Sequence, residues 1–214
     1  LEPQPPLPDP PVADPEALRA ELDAPCPLAP DAVEAFRRFG YVKLERVLSP
    51  AALLHLRGEL EEVLAHSKAA ASAARFPSLE MLWTTHAAFR AVALSRRLAR
   101  LAAELLGVEA VRLYHDNALA KLPRCGRTPW HYDAHHYPIA SENVVTVWIP
   151  LQPTPRAMGP LTFARDIEAW RRVADLPFDK FDDSYDRGIA EALAAGGVPV
   201  DDGPFALGEV SFHH

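Results

Sequence analysis

Ten of the 22 prolines fall within the first 30 residues, in runs such as Pro5-Pro6 and Pro10-Pro11. Each proline fixes φ and removes a backbone donor, so such runs exclude a continuous helix and a central strand. The spacing predicts an extended, proline-rich arm over residues 1–30, with the folded body occupying 31–214. No basic residue flanks the PxxP-like spacing, which favours a passive leader over a docking ligand. The fold must therefore be carried by residues 31–214.

That body is long enough to bury a core as one domain: the 214-residue chain is 49% hydrophobic and 24% charged. A formal net charge of −7 argues against nucleic acid as a partner, because phosphate backbones are held by clustered Lys and Arg. Cys26 and Cys125 form neither a disulfide framework nor a zinc motif, so a reducing, cytoplasmic setting is expected. No apolar run reaches the roughly 18 residues of a membrane span, and the N-terminus has no signal-peptide pattern. A small-molecule substrate is the expected partner, and no pattern encodes the oligomeric state.

Local signals divide the body into a helical first half and a β-rich second half. Asp31 can cap a helix that Gly40 ends before an extended YVKLERV segment. Ser49 and Pro50 form a capping pair ahead of Leu53, Leu56, Leu60, Val63 and Leu64 at helical spacing. A further helix is predicted over Phe89 to Leu106, stopping at Gly107. Beyond it, VRLYHDNALAKLP, NVVTVWIPLQP, GPLTFARD and GPFALGEVSFHH have the β-branched, turn-bounded character of strands. Residues 167–200 are more polar and helical and read as an insertion or lid. GxGxxG and GxxxxGK[ST] loops are both missing, which removes support for nucleotide binding. His55, His66 and His86 are isolated on helical segments and read as ordinary side chains.

The densest group of ligand-type residues is TPWHYDAHHYP. On a strand, positions i and i+2 share a face, so His131 and Asp133 can aim an imidazole and a carboxylate at one point. Such a pair suits a divalent metal of intermediate softness, and one more distant histidine would complete the facial triad of non-haem Fe(II) oxygenases. Taken alone, the pair is equally compatible with a surface histidine oriented by an aspartate.

The ordered run from VRLYHDNALAKLPRCGRTPWHYDAHHYP through TVWIPLQPTPRAMGPLTFARD to PFALGEVSFHH resembles the phytanoyl-CoA dioxygenase family of Fe(II)/2-oxoglutarate-dependent oxygenases. The resemblance extends from about Ala35 to the end. It implies an α+β fold: a double-stranded β-helix (jelly roll, cupin-like) core with N-terminal helices packed outside. It implies Fe(II), 2-oxoglutarate and O2 as cofactor and co-substrates, with His131 and Asp133 as iron ligands. The expected reaction is hydroxylation of an aliphatic C–H bond with release of succinate and CO2. Relatives that halogenate replace the carboxylate with a small residue, so Asp133 favours hydroxylation. Leu119, Lys121 and Trp148 match positions lining the 2-oxoglutarate pocket, although an exposed strand lysine and a core tryptophan read equally well. His135, His136 and Tyr137 begin the substrate-facing loop. The family's distal histidine, followed by an Arg that pairs with the far carboxylate of 2-oxoglutarate, is expected beyond His214. The domain is thus expected to be incomplete at its C-terminal end, with His214 as the fallback third ligand. Two alternatives stay open: a jelly-roll binding module in which the HYD sequence is incidental, and an inactive truncated relative acting by protein contact.

Overall fold

The computed structural model describes residues 14–67, 76–123, 125–133, 137–141, 143–177, 179 and 183–214. Its first helix starts on a proline. Asp14 accepts a hydrogen bond from the Glu16 N–H (2.9 Å), and Pro15 occupies the first turn of α1 (Pro15–Asp23), where a missing donor costs nothing. Leu22 of this helix is buried in the main core. The expected extended arm over 1–30 is therefore corrected for residues 15–23: a lone proline at a helix start is compatible with helix. The paired prolines lie outside the described residues.

The same device opens α2 (Pro30–Phe39), so Asp31 stands in its first turn and does not cap it. Gly40, at φ 80°, terminates it in a conformation that glycine adopts without steric cost. β1 (Tyr41–Leu44) comes next. Ser49 caps α3 (Pro50–His66) as expected, its Oγ accepting from the Ala52 N–H at 3.2 Å. The same hydroxyl donates to Glu21 Oε2 (2.6 Å), fastening α1 to α3. The single helix expected over Phe89–Leu106 is instead two, α4 (Ala87–Ala93) and α5 (Arg96–Leu106). Ser95 makes the break: its Oγ accepts from the Leu98 N–H (3.2 Å) and donates to the Leu22 carbonyl (3.0 Å). A serine that can bond nearby backbone groups competes with helix continuation.

Leu98, Leu101 and Leu105 recur on one face of α5 and pack with Leu22, Phe36 and Leu53 against the sheet residues Val42, Val210 and Phe212. Burying each such side chain contributes about 1.5–3 kcal/mol. The sheet is antiparallel, in the order β1, β7 (Val210–His213), β4 (Thr146–Trp148). Two smaller antiparallel pairs join β2 (Ser78–Glu80) to β3 (Asn117–Leu119) and β5 (Phe163–Ala164) to β6 (Val200–Asp201). α6 (Ala169–Val173) and α7 (Ser184–Ala195) form a satellite core through Ala169, Ile189, Leu193 and Val198.

The class is thus α+β with antiparallel sheets, and the first-half helices pack on the sheet. Among the described residues the strands are shorter than their sequence patterns predict. Of VRLYHDNALAKLP only Asn117–Leu119 is strand, since extended propensity becomes a strand only where a partner pairs with it. The described strands form these three small sheets and do not draw two facing sheets of a full jelly roll. Among the described residues no helix is long and apolar enough to cross a membrane.

One polar contact closes β6 onto β1. The Tyr41 hydroxyl donates to Asp201 Oδ2 (2.9 Å), and the Gly203 N–H donates to Oδ1 (3.0 Å). Burial alone would raise the Asp201 pKa. These hydrogen bonds and the charges of Lys43 and Arg165 outweigh it and hold the carboxyl below its ordinary value. A depressed carboxyl contributes stability above its unfolded pKa of about 3.9 and loses it as pH falls through the folded value. Asp201→Asn should accordingly lower the urea midpoint at neutral pH, and the gap from the parent should close in acid. A gap independent of pH would show that the charge contributes nothing.

Candidate metal centre

Sheet register builds one wall of the site. Val42, Phe212 and Val147 stand opposite one another across the three strands, and all pack into the core. Side chains alternate along a strand, so the neighbouring row of Tyr41, His213 and Thr146 faces the other way. A slip of one residue in β7 would exchange Phe212 for His213 and abolish both core and site.

Asp133 meets this wall. The Thr146 hydroxyl donates to its Oδ2 at 2.6 Å, and His213 Nε2 lies 3.5 Å from the same oxygen. His131 Nε2 approaches the other oxygen, Oδ1, at 3.2 Å. His131 and Asp133 converge as expected, but on an irregular segment and not on a strand. Their meeting is set by loop conformation, not by strand alternation. Asp133 is buried at 7% exposure. Burial pushes its pKa up, but the hydrogen bonds from His131 and His213, the charge of His213 and the Thr146 hydroxyl prevail and hold it well below the carboxylate range. In turn the hydrogen bond to Asp133 raises the His131 pKa against the opposing effect of burial.

The donor chemistry fits a divalent cation. His131 Nδ1 lies 2.9 Å from the Pro129 carbonyl, which can only accept, so a neutral His131 carries its proton there and presents a lone pair at Nε2. That lone pair faces a carboxylate oxygen, and two acceptors at this distance repel unless a proton or a cation stands between them. Imidazole nitrogen with carboxylate oxygen is the ligand type that suits Fe(II). Among the described residues no three His, Cys, Asp or Glu side chains form a ready cage. Each imidazole instead meets a different oxygen of Asp133.

The remaining expected residues divide. His214 does not approach the metal pair: its ring stacks on Phe36 with centroids 4.6 Å apart, and its N–H donates to the Gly40 carbonyl. The fallback assignment is therefore corrected, because strand alternation sends His213 towards Asp133 and His214 away. Trp148 lies on β4 two residues from Thr146, hence on the same sheet face, with its ring edge-to-face on Phe205 at 4.8 Å. Lys121 is exposed, and its charge opposes the imidazolium of His131. Leu119 is 44% exposed on β3. Tyr137 stacks edge-on with Tyr114 and His115, and its pKa is raised by burial and by the charge of Asp133. His135 and His136 lie outside the described residues. Sequence reasoning missed Thr146 and His213. Period-two alternation from Trp148 points to Thr146, whereas nothing local marks His213.

Residues 36–199 match the family described as phytanoyl-CoA dioxygenase (PhyH). Among curated proteins none matches the chain. Among solved structures it is similar to the non-heme alpha ketoglutarate dependent carbocyclase SnoK from nogalamycin biosynthesis, at 24% identity over 89% of this chain and 77% of that one, TM-score 0.70. It is also similar to the epimerase SnoN in complex with Fe3+, alpha ketoglutarate and nogalamycin RO, at 24% identity over 94% and 75% of the two chains, TM-score 0.65. EvdO2 from Micromonospora carbonacea var. aurantiaca, complexed with 2-oxoglutarate, shares 17% identity over 89% and 82%, TM-score 0.57. At these identities the likeness is one of fold.

Proposed function

The chain belongs to the phytanoyl-CoA dioxygenase family, whose members use Fe(II), 2-oxoglutarate and O2. From that premise we propose that it is a non-haem dioxygenase hydroxylating an aliphatic C–H bond of a small molecule, with release of succinate and CO2. The observation that carries this reading is the convergence of the buried Asp133 carboxylate and His131 Nε2, 3.2 Å apart. The bound metal supplies oxygen activation. The protein supplies the rest: His131 and Asp133 would hold the metal, with His131 Nδ1 against the Pro129 carbonyl. Thr146 and His213 hold Oδ2 of Asp133 and so would keep its carboxylate oriented. By the family resemblance, Lys121 would attract the carboxylate of 2-oxoglutarate, with Leu119 and Trp148 as apolar lining. Tyr137, beside Asp133, borders the substrate space with His135 and His136. A facial set of this kind takes one further histidine ligand, and the strands are read as part of a jelly roll. The free thiols Cys26 and Cys125 support a reducing, cytoplasmic setting.

The neighbours named as carbocyclase and epimerase favour one second reading, an oxidative outcome other than hydroxylation on the same site. Product mass separates the two, since only hydroxylation leaves the product heavier by one oxygen atom. The function itself is tested by succinate formation from 2-oxoglutarate, which should require Fe(II). A metal-independent binding module would form none.

Roles within the site are separable by metal titration. His213→Ala should weaken Mn(II) binding by about ten- to a hundred-fold, the effect of removing a group that orients a ligand. His131→Ala should abolish it. Equal, complete loss in both variants would make His213 a ligand.

A further inference from the structure

The segment carrying His131 has no regular structure of its own: residues 125–132 belong to no helix or strand. It is gripped instead by the unit formed from α6 and α7. The Trp130 N–H donates to Asp186 Oδ1 at 3.0 Å. Arg127 bridges both acidic residues of the α7 entry, with Nη2 at 2.8 Å from Asp183 Oδ1 and Nη1 against Asp186 Oδ2. The Trp130 side chain packs on the Ala169, Ile189, Leu193 and Val198 cluster. On the other side of His131, Tyr132 stacks on Trp170 with rings 5.5 Å apart and nearly parallel at 14°.

We infer that the α6–α7 unit anchors the metal-binding segment and that Asp186 is its positioning residue. A carboxylate near a helix N-terminus is favourable for the helix dipole alone. Here, however, Asp186 directs one oxygen to the backbone N–H immediately before His131 and the other to Arg127. The Arg127 pairs are partly exposed, with Asp183 71% exposed, and exposed ion pairs add little to global stability. Their consequence is positional. Fixing the peptide on one side of His131 and the ring on the other leaves the imidazole little freedom to turn from Asp133. α6 and α7, within the stretch expected as an insertion or lid, thus support the metal loop.

This inference rests on the reading of His131 and Asp133 as metal ligands, and one series of variants separates the two. Co(II) affinity and absorption spectrum are measured for the parent, Asp186→Ala, Arg127→Gln, Arg172→Gln and His131→Ala. Hydrogen exchange of the 125–133 backbone is followed in the metal-free proteins. Asp186→Ala should exchange faster across 125–133 and bind Co(II) about ten-fold more weakly with an altered spectrum. Arg127→Gln should move in the same direction, and keeps the test open if Asp186→Ala does not fold. Arg172→Gln, in the same unit but away from the loop, should match the parent. Unchanged exchange or unchanged Co(II) affinity in both loop-contact variants, with His131→Ala having lost the metal, would overturn the anchor alone. Full Co(II) affinity in His131→Ala would overturn the metal reading and the anchor's role with it.

Discussion

Asp133→Ala should abolish succinate release from 2-oxoglutarate, lowering it by at least about a hundred-fold, the scale of losing more than an outer-shell partner of the metal. Asp133 is the one described side chain that touches His131, His213 and Thr146 together, so its removal takes away the proposed ligand and the charge that gathers the others. Asp133→Asn sharpens the result, because it keeps the Thr146 acceptor and the volume while losing the charge, and should be nearly as inactive. Stability should fall as well at neutral pH, because the contacts from His131, His213 and Thr146 that hold the Asp133 carboxyl below its ordinary value stabilise the fold while it is ionised. A metal-free Asp133→Asn protein should therefore melt below the parent, and turnover is compared on the fraction still folded. Undiminished turnover would remove the metal assignment.

Phe212→Ala should be the most damaging core change, costing about 3–5 kcal/mol. Phe212 is 1% exposed and sits between Val42 and Val147 at the centre of the three-stranded sheet. Domains of this size are stable by only about 5–15 kcal/mol, so the loss is a large share of the total. It also reaches the site, because the cavity loosens β7, whose next residue is His213. The expected result is a lowered denaturation midpoint together with weakened metal binding in the fraction still folded. Phe212→Leu, filling most of the volume, should restore much of both. A midpoint within experimental scatter of the parent would contradict the assignment of this strand to the core.

Capping chemistry is legible in the sequence because it is local: Ser49 before Pro50, and Gly40 and Gly107 after their helices, act through groups within four residues. The same locality misleads at Pro15. A high proline count predicts extended chain, whereas a single Asp-Pro pair starts a helix. Ser95 caps α5 through the equally local Leu98 N–H, but lacks the following proline that makes Ser49 conspicuous. His131 and Asp133 are visible as a ligand-type pair, although strand alternation is not how they meet. Thr146 and His213 reach Asp133 through cross-strand register between segments far apart in the chain, and such pairing leaves no local trace. The choice of His214 as the fallback third ligand fails for that reason. Once β7 pairs with β1 and β4, alternation turns His213 towards Asp133 and His214 towards Phe36. The grip of Asp186 and Trp170 on the metal loop is equally hidden, because it joins residues separated by the whole β4 and β5 region.

Whether His131 and Asp133 form a metal centre that takes 2-oxoglutarate is decided by anaerobic calorimetric titration of 2-oxoglutarate. The titration is made into parent and His131→Ala proteins, each with and without Mn(II). Binding to the parent is expected only when Mn(II) is present, and none to His131→Ala under either condition. Binding of 2-oxoglutarate that is the same without metal, or that survives in His131→Ala, would contradict the metal centre.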